Sequence, residues 1–175
     1  MDRWKQYLFK SHSEDTLRNW AKRLSLFRFF RAYGGHANDG DSLDVAYRYG
    51  NLGELEEFLR SLGVNVVIYR ERPPQPEPGK AYPGDEFAKF PSLIPGTEWV
   101  RQPGHCTIAG QKVFIWCEND LVKISIGERY EVTEDDVAAA EEVEKKLSAT
   151  SLERVDPPFD TNHYICPKYY PDYFG

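Results

Sequence analysis

The 175-residue chain has no apolar run long enough to cross a membrane, and its N-terminus lacks the hydrophobic stretch of a secretory signal. Cysteine is scarce. Cys106, Cys117 and Cys166 make an odd number, which argues against a disulfide framework. We therefore expect a cytoplasmic protein whose thiols stay reduced, with no membrane contact.

The sequence also lacks the short motifs that mark many enzymes. It has no glycine-rich phosphate-binding signature, no HExxH zinc motif and no GxSxG nucleophile motif. The CxxC pairs typical of structural zinc sites are missing as well. Nothing in the sequence indicates a cofactor, so we predict none.

What the chain does contain is enough apolar material for a core. Hydrophobic residues make up 41% and aromatic residues 14%, which excludes wholesale disorder and suits one domain over residues 1–175. The net charge of −6 is unevenly spread. Residues 1–33 carry eight basic and three acidic side chains, and the remainder carries 14 and 25. An acidic body repels nucleic-acid phosphates and attracts cationic proteins.

The N-terminal part, residues 13–62, has the apolar spacing of helices. Ser13 followed by two acids predicts a helix start, and the pattern extends one helix to Tyr33, before Gly34-Gly35. Its apolar stripe, at helical spacing, consists of Leu17, Trp20, Ala21, Leu24 and Phe27.

Two further helices are predicted in the same part. A short one covers Leu43 to Tyr49, and another begins at Asn51, a capping residue with Glu54 three positions on, and ends at Gly63. Residues 64–69 are rich in β-branched side chains and predict a buried strand.

Residues 73–104 change the character of the chain, since eight of its twelve prolines lie there. Proline removes backbone donors, so we expect a long loop with little regular structure, wrapped on the domain by its apolar side chains. Strands follow over 105–126, with turns near Gly110 and Asp120, and then a helix capped by Thr133. Residues 148–175 predict an irregular, aromatic tail.

This order of elements predicts an α+β fold. Helices, a proline-rich loop, a run of strands and a last helix favour a four- or five-stranded, largely antiparallel sheet with helices packed on one face. The last strand of that run is expected to turn at Gly127-Glu128 into residues 129–132.

Candidate chemistry centres on cysteine and histidine. A thiol nucleophile needs a base within hydrogen-bond reach, and an enzyme would use Cys106 or Cys166 with His105 or His163. Zinc is a weaker alternative, with His105, Cys117, His163 and Cys166 as its candidate ligands. Packing explains these residues as well, so we predict no catalytic or metal site.

Candidate partner-binding residues fall in two groups, one acidic and one aromatic. Acids on the last helix form the densest negative cluster, and tyrosines in the tail are of the kind that anchor interfaces. The predicted contacts are Glu134, Asp135, Glu141, Glu142, Tyr169, Tyr170 and Tyr173.

These features favour a non-enzymatic module that neutralises or regulates a protein partner, as an immunity-type antidote neutralises a toxin. One alternative is a small Cys/His-dependent hydrolase or transferase. The other is nucleic-acid binding through the basic N-terminal helix.

Overall fold

A computed structural model describes residues 13–32, 41–127, 132–155 and 164–165 of the chain. The helices are α1 (Glu14–Arg23), α2 (Leu52–Ser61), α3 (Gly84–Phe87) and α4 (Glu134–Ser148). The strands are β1 (Arg28–Ala32), β2 (Asp41–Arg48), β3 (Ile68–Tyr69), β4 (Trp99–Val100), β5 (His105–Ile108), β6 (Gln111–Glu118), β7 (Leu121–Ile126), β8 (Glu153–Arg154) and β9 (Tyr164–Ile165).

The predicted fold class is confirmed. Five antiparallel strands lie in the order β5-β6-β7-β2-β1, and the two-residue strands β9 and β8 add to β1 and β2. Alternate residues of β6 and β7, including Val113, Ile115 and Ile124, are buried on one face of this sheet. They share a core with Val137, Val143 and other residues of α4, which therefore covers that face.

The first helix is much shorter than predicted. Ser13 caps it as expected, accepting a hydrogen bond from Thr16 N–H, but the helix ends at Arg23 and Leu24 is already extended. The prediction of one helix to Tyr33 was therefore wrong. Trp20, Leu24 and Phe27 are buried, yet Phe27 belongs to the connection into β1. The aromatic run after it suits a strand, because bulky rings fit a pleated surface.

The helix predicted for 43–49 was also wrong, because this segment is most of β2. Leu43, Val45 and Tyr47 alternate as the buried residues of a strand that pairs β1 and β8 on one side and β7 on the other. Short apolar runs of this kind are ambiguous between helix and strand by periodicity alone.

Helix α2 begins and ends where the sequence predicts. The Asn51 side chain accepts a hydrogen bond from Glu54 N–H at 2.9 Å, and Gly63 adopts a left-handed φ of 79° just past the end. The prediction of a buried strand over 64–69 was wrong, because the strand is shorter and more exposed than expected. Only β3 forms, paired with β4 in a separate two-stranded sheet, and Val67 and Ile68 are exposed.

The proline-rich segment 73–104 is largely irregular, as predicted, apart from α3 and β4. Ile94 and Val100 are buried in the main core, so this loop packs on the domain, although Phe87 is 57% exposed. Gln102 ends the loop beside β6. Its side-chain amide donates to the carbonyl of Cys117 at 2.7 Å and accepts from the N–H of Cys117 at 3.3 Å.

The hairpin predicted after the loop is confirmed. β5 and β6 are joined by the two residues Ala109 and Gly110, both at positive φ (50° and 79°), which is the conformation of a tight hairpin turn. Asn119 and Asp120 form the turn into β7.

Helix α4 begins with a complete capping box, in which Thr133 and Asp136 bond each other's backbone N–H. Val132 is buried just before it; residues 129–131 of the predicted strand lie outside the described residues. Beyond α4, β8 and β9 form where the sequence predicts an irregular tail.

Candidate functional site

His105 and Cys106 lie on opposite faces of β5. His105 is exposed and pairs across the strands with Phe114, whose ring centroid is 6.3 Å from the imidazole centroid. Cys106 is half-buried and pairs with Val113 on the core face. Because neighbouring side chains of a strand point in opposite directions, this imidazole does not face this thiol.

The environment of the described thiols keeps them protonated. Burial raises the pKa of Cys106, and it raises the pKa of Cys117 to about 12. A thiol with a raised pKa carries little thiolate near neutral pH and is a poor nucleophile. The other half of the sequence-predicted constellation, His163 and Cys166, lies outside the described residues.

The zinc candidates are similarly divided. His105 lies on the exposed face, and Cys117 is buried on the core face of β6. Among residues 13–32, 41–127, 132–155 and 164–165, no three histidine, cysteine or acidic side chains come together in a way that would hold a metal ion.

The predicted acidic contacts lie on two sides of α4. Glu134 and Glu141, seven residues apart on one helical face, both bind Arg23 of α1, at 2.5 and 2.6 Å. Glu134 also accepts a hydrogen bond from Trp20 Nε1 at 2.7 Å. These bonds from Trp20 and Arg23 lower the pKa of Glu134. Asp135 and Glu142, also seven apart, are exposed beside them.

Arg23 thus connects α1 to α4 through its ion pairs. Helix α1 is shorter than the sequence predicts, so it does not carry the whole basic face expected of the N-terminal helix. Arg28 and Arg31, which the sequence places on that helix, belong to β1. The tyrosines predicted as anchors, Tyr169, Tyr170 and Tyr173, lie outside the described residues.

The structure reveals a groove that the sequence did not indicate. It lies between α2 and the β3–β4 sheet, with a volume of about 390 Å³. Its apolar lining combines buried side chains with exposed ones, since Leu55, Leu59 and Val100 are buried whereas Ile68 is 45% exposed. The complete lining is Leu52, Gly53, Leu55, Glu56, Leu59, Val66, Ile68, Glu98 and Val100.

The charged side chains of the groove are both acidic. Glu56 and Glu98 line it, and no basic residue among those the structure describes does. Glu56 is bound by Arg60 at 2.7 Å one helical turn on, and Glu98 is exposed. The groove therefore offers an apolar surface bordered by negative charge.

A second exposed apolar feature lies on the outer face of β6. Phe114 and Trp116, two residues apart, are 40% and 38% exposed. The Lys112 ammonium lies 5.7 Å from the Phe114 ring centroid, and Lys123, opposite Trp116, binds Glu118 at 2.7 Å. This face presents rings and mixed charges, without the concave shape of the groove.

The sequence does not predict the groove, because each set of residues that lines it has the pattern of a buried element. The spacing of Leu52, Leu55 and Leu59 is that of one helical face, which predicts burial. The β-branched segment that contains Val66 and Ile68 predicts a buried strand. Their mutual placement leaves a gap, and that placement depends on the short β3–β4 pairing. The acidic residues at its border had no sequence pattern of their own.

Comparison of the chain with protein-family models, with curated protein sequences and with solved structures finds no match in any of the three. Within the described parts of the chain, no helix combines the length and apolar character needed to cross a membrane.

Proposed function

We propose that this protein is a non-enzymatic binding module that takes up a basic, apolar segment of a protein partner in the groove between α2 and β3–β4, and thereby neutralises or regulates that partner. The observation that carries the proposal is an apolar groove in which Ile68 is 45% exposed and whose charged lining, among the described residues, consists of Glu56 and Glu98. The alternatives, a Cys/His-dependent enzyme and a nucleic-acid-binding protein, stay predictions from the sequence alone.

Shape and hydrophobicity supply the first argument. Grooves between a helix and a neighbouring strand pair are the kind of surface that binds short partner segments, with a few apolar side chains as anchors. The lining includes the exposed Ile68 and the half-buried Val66 together with the buried Leu55 and Leu59. Covering the exposed part of one such side chain contributes about 1 kcal/mol, so several together support a specific interaction.

Charge supplies the second argument. Glu98 and Glu56 border the groove, within a chain of net charge −6. A partner segment with lysine or arginine beside its apolar anchors would satisfy both features, and the negative body would speed its approach. Asp135 and Glu142 on α4 add to that long-range attraction.

Variants that change the groove without disturbing the core test the proposal. Ile68→Glu places a carboxylate among the apolar side chains that line the groove, which also contains Glu98. Glu98→Lys reverses the charge at the border of the groove. Ile68 is 45% exposed, so its substitution leaves folding stability nearly unchanged. Phe87→Glu is the matched control, because Phe87 is exposed and lies outside the groove.

The experiment compares proteins retained from the native host by the immobilised wild type and by each variant, quantified by mass spectrometry. A partner is expected on the wild type and on Phe87→Glu, and its retention should fall at least about tenfold, or about 1.4 kcal/mol, on the two groove variants. Equal retention on all four proteins would contradict the assignment to this groove.

A further inference from the structure

β5 lies at one end of the main sheet, and its outer edge has no neighbouring strand among the described residues. The hairpin register pairs Ile108 with Gln111, and Ile115 N–H donates to the carbonyl of Gly104 at 2.9 Å. Hydrogen-bonded pairs alternate along an antiparallel ladder. Residues 104, 106 and 108 therefore bond to β6, and the N–H and C=O groups of His105 and Thr107 point to the open edge.

Apart from its short length of four residues, this edge lacks the features with which proteins usually protect an end strand. His105–Ile108 contains no lysine, no carboxylate and no proline, and its register with β6 runs without a bulge. Both outward-facing residues, His105 and Thr107, are exposed. Four backbone groups of β5 thus have no strand partner among the described residues.

We propose that β5 pairs antiparallel with β5 of a second copy of this chain, about a twofold axis at Cys106. In this register His105 of each copy is opposite Thr107 of the other. All four outward backbone groups of each copy are then bonded, and the two sheets join into one.

The residues on either side of β5 select this register. An axis at His105 would place Thr107 opposite Pro103, which has no N–H to donate. An axis at Thr107 would place His105 opposite Ala109, which lies in the hairpin turn at a φ of 50°. Only the axis at Cys106 uses every outward group.

The local charge at β5 does not oppose pairing, although two chains of net charge −6 repel each other at long range. The facing side chains of His105 and Thr107 include no carboxylate or ammonium group, and Lys112 lies one strand inward as the cross-strand partner of Thr107. Cys106, half-buried on the core face, would be covered further by its symmetry mate. A joined sheet would also make the exposed rings of Phe114 and Trp116 part of one continuous outer face.

The register has a direct chemical consequence. Cys106 would face Cys106 of the second copy as a non-hydrogen-bonded pair, with Cα atoms about 4.5 Å apart. Disulfides span Cα separations of about 4.4–6.8 Å, so these two thiols are within bonding reach. Other arrangements of two copies have no reason to bring Cys106 to itself.

The test oxidises the full chain with diamide, which takes up the two thiol hydrogens as the disulfide forms, at mildly alkaline pH because burial raises the pKa of Cys106 and the thiolate is the reactive form. A Cys166→Ser background removes the third thiol of the chain. Cys117 is only 4% exposed, so it is shielded from the reagent. The proposal expects a disulfide-linked dimer, with Cys106–Cys106 identified by peptide mapping, and its loss in Cys106→Ser. A chain that stays uncross-linked, or one linked through another cysteine, would overturn it.

Light scattering on reduced protein gives an independent measurement. The wild type is expected at twice the chain mass, and Thr107→Pro at the chain mass, because proline removes an outward N–H that the ladder to β6 does not use. Thr107→Val keeps that N–H and should stay dimeric. Thr107→Lys provides a second disrupting variant that retains the backbone donor.

A wild type at the single-chain mass, or a dimer that persists in both Thr107→Pro and Thr107→Lys, would contradict the pairing. A monomeric wild type that binds an extended segment of another protein along β5 would assign the edge to that partner instead. Ile68→Glu lies in the groove and should leave the dimer intact, so failure of this inference and failure of the proposed function are distinguishable.

Discussion

Glu144 offers a sharp stability prediction, because it connects the last helix to the segment where the sequence and the structure disagree. Its Oε1 accepts hydrogen bonds from the backbone N–H groups of Leu26 and Phe27, at 2.5 and 3.0 Å. Its Oε2 accepts from the Ser25 hydroxyl at 3.3 Å. The side chain is 9% exposed and fixes the connection between α1 and β1 on α4.

Glu144→Ala leaves two backbone donors without their acceptor. An unpaired buried donor costs about 1–3 kcal/mol, so we expect a loss of about 3 kcal/mol in the free energy of unfolding. Glu144→Gln keeps an oxygen at the Oε1 position but loses the charge and replaces Oε2, the acceptor of the Ser25 hydroxyl, by an amide nitrogen, so about 1 kcal/mol is expected. Urea denaturation followed by circular dichroism measures both.

Glu142→Ala, exposed on the same helix, is the control and should change stability by less than about 0.5 kcal/mol. If Glu144→Ala were no more destabilising than Glu142→Ala, the Leu26–Phe27 backbone would not depend on this carboxylate. A continuous helix from Ser13 to Tyr33, as the sequence predicts, would give that result, because its N–H groups would bond within the helix.

Three further predictions concern single contacts. Asp136→Ala breaks the capping box with Thr133 and should cost about 1 kcal/mol in urea unfolding, whereas Asp135→Ala, exposed beside it, should cost less. Ala109→Asn should raise the thermal midpoint, because Ala109 is strained at a φ of 50° and asparagine before glycine suits this hairpin turn; an unchanged or lower midpoint would contradict the turn geometry. Burial raises the pKa of Cys117 from 9.0 to about 12, so the unfolded chain loses the thiol proton at lower pH than the folded chain does. The free energy of unfolding should therefore fall by up to about 1.4 kcal/mol per pH unit as the pH rises from 9 to 12. Cys117→Val should flatten that decline in denaturation midpoints, and an equally steep decline would refute the linkage.

The parts of the fold that local chemistry determines could be predicted from the sequence. Ser13, Asn51 and Thr133 cap helices because their side-chain oxygens bond nearby N–H groups, and each of these starts is confirmed. The strand alternation in β7 identifies its buried face for the same reason, since side chains of a strand alternate.

The errors arose where tertiary pairing decides between two local conformations. The apolar residues of 43–49 and of 28–32 fit a helix and a strand alike. Strand β1 forms by pairing with β2, and β2 is also paired with β7. Long-range contacts such as that of Glu144 with Leu26 end α1 early, and no local signal records them.

The candidate site was still less accessible to sequence reasoning. The lining of the groove comes from α2, β3, β4 and the turn before β4, and its volume depends on how far apart these elements lie. The sequence placed partner-binding acids on α4, where Glu134 and Glu141 bind Arg23. It did not single out Glu98 or Ile68, whose exposure only the packing reveals.

Site-specific photocross-linking in the native host shows whether the groove between α2 and β3–β4 contacts a partner. A benzophenone amino acid replaces Ile68 in one version of the protein and Phe87 in the other. We expect a cross-linked protein at Ile68 and none of it at Phe87, with the linked peptide carrying lysine or arginine beside apolar residues. An absence of adducts at Ile68, or the same adducts at both positions, would contradict a partner-binding groove between α2 and β3–β4.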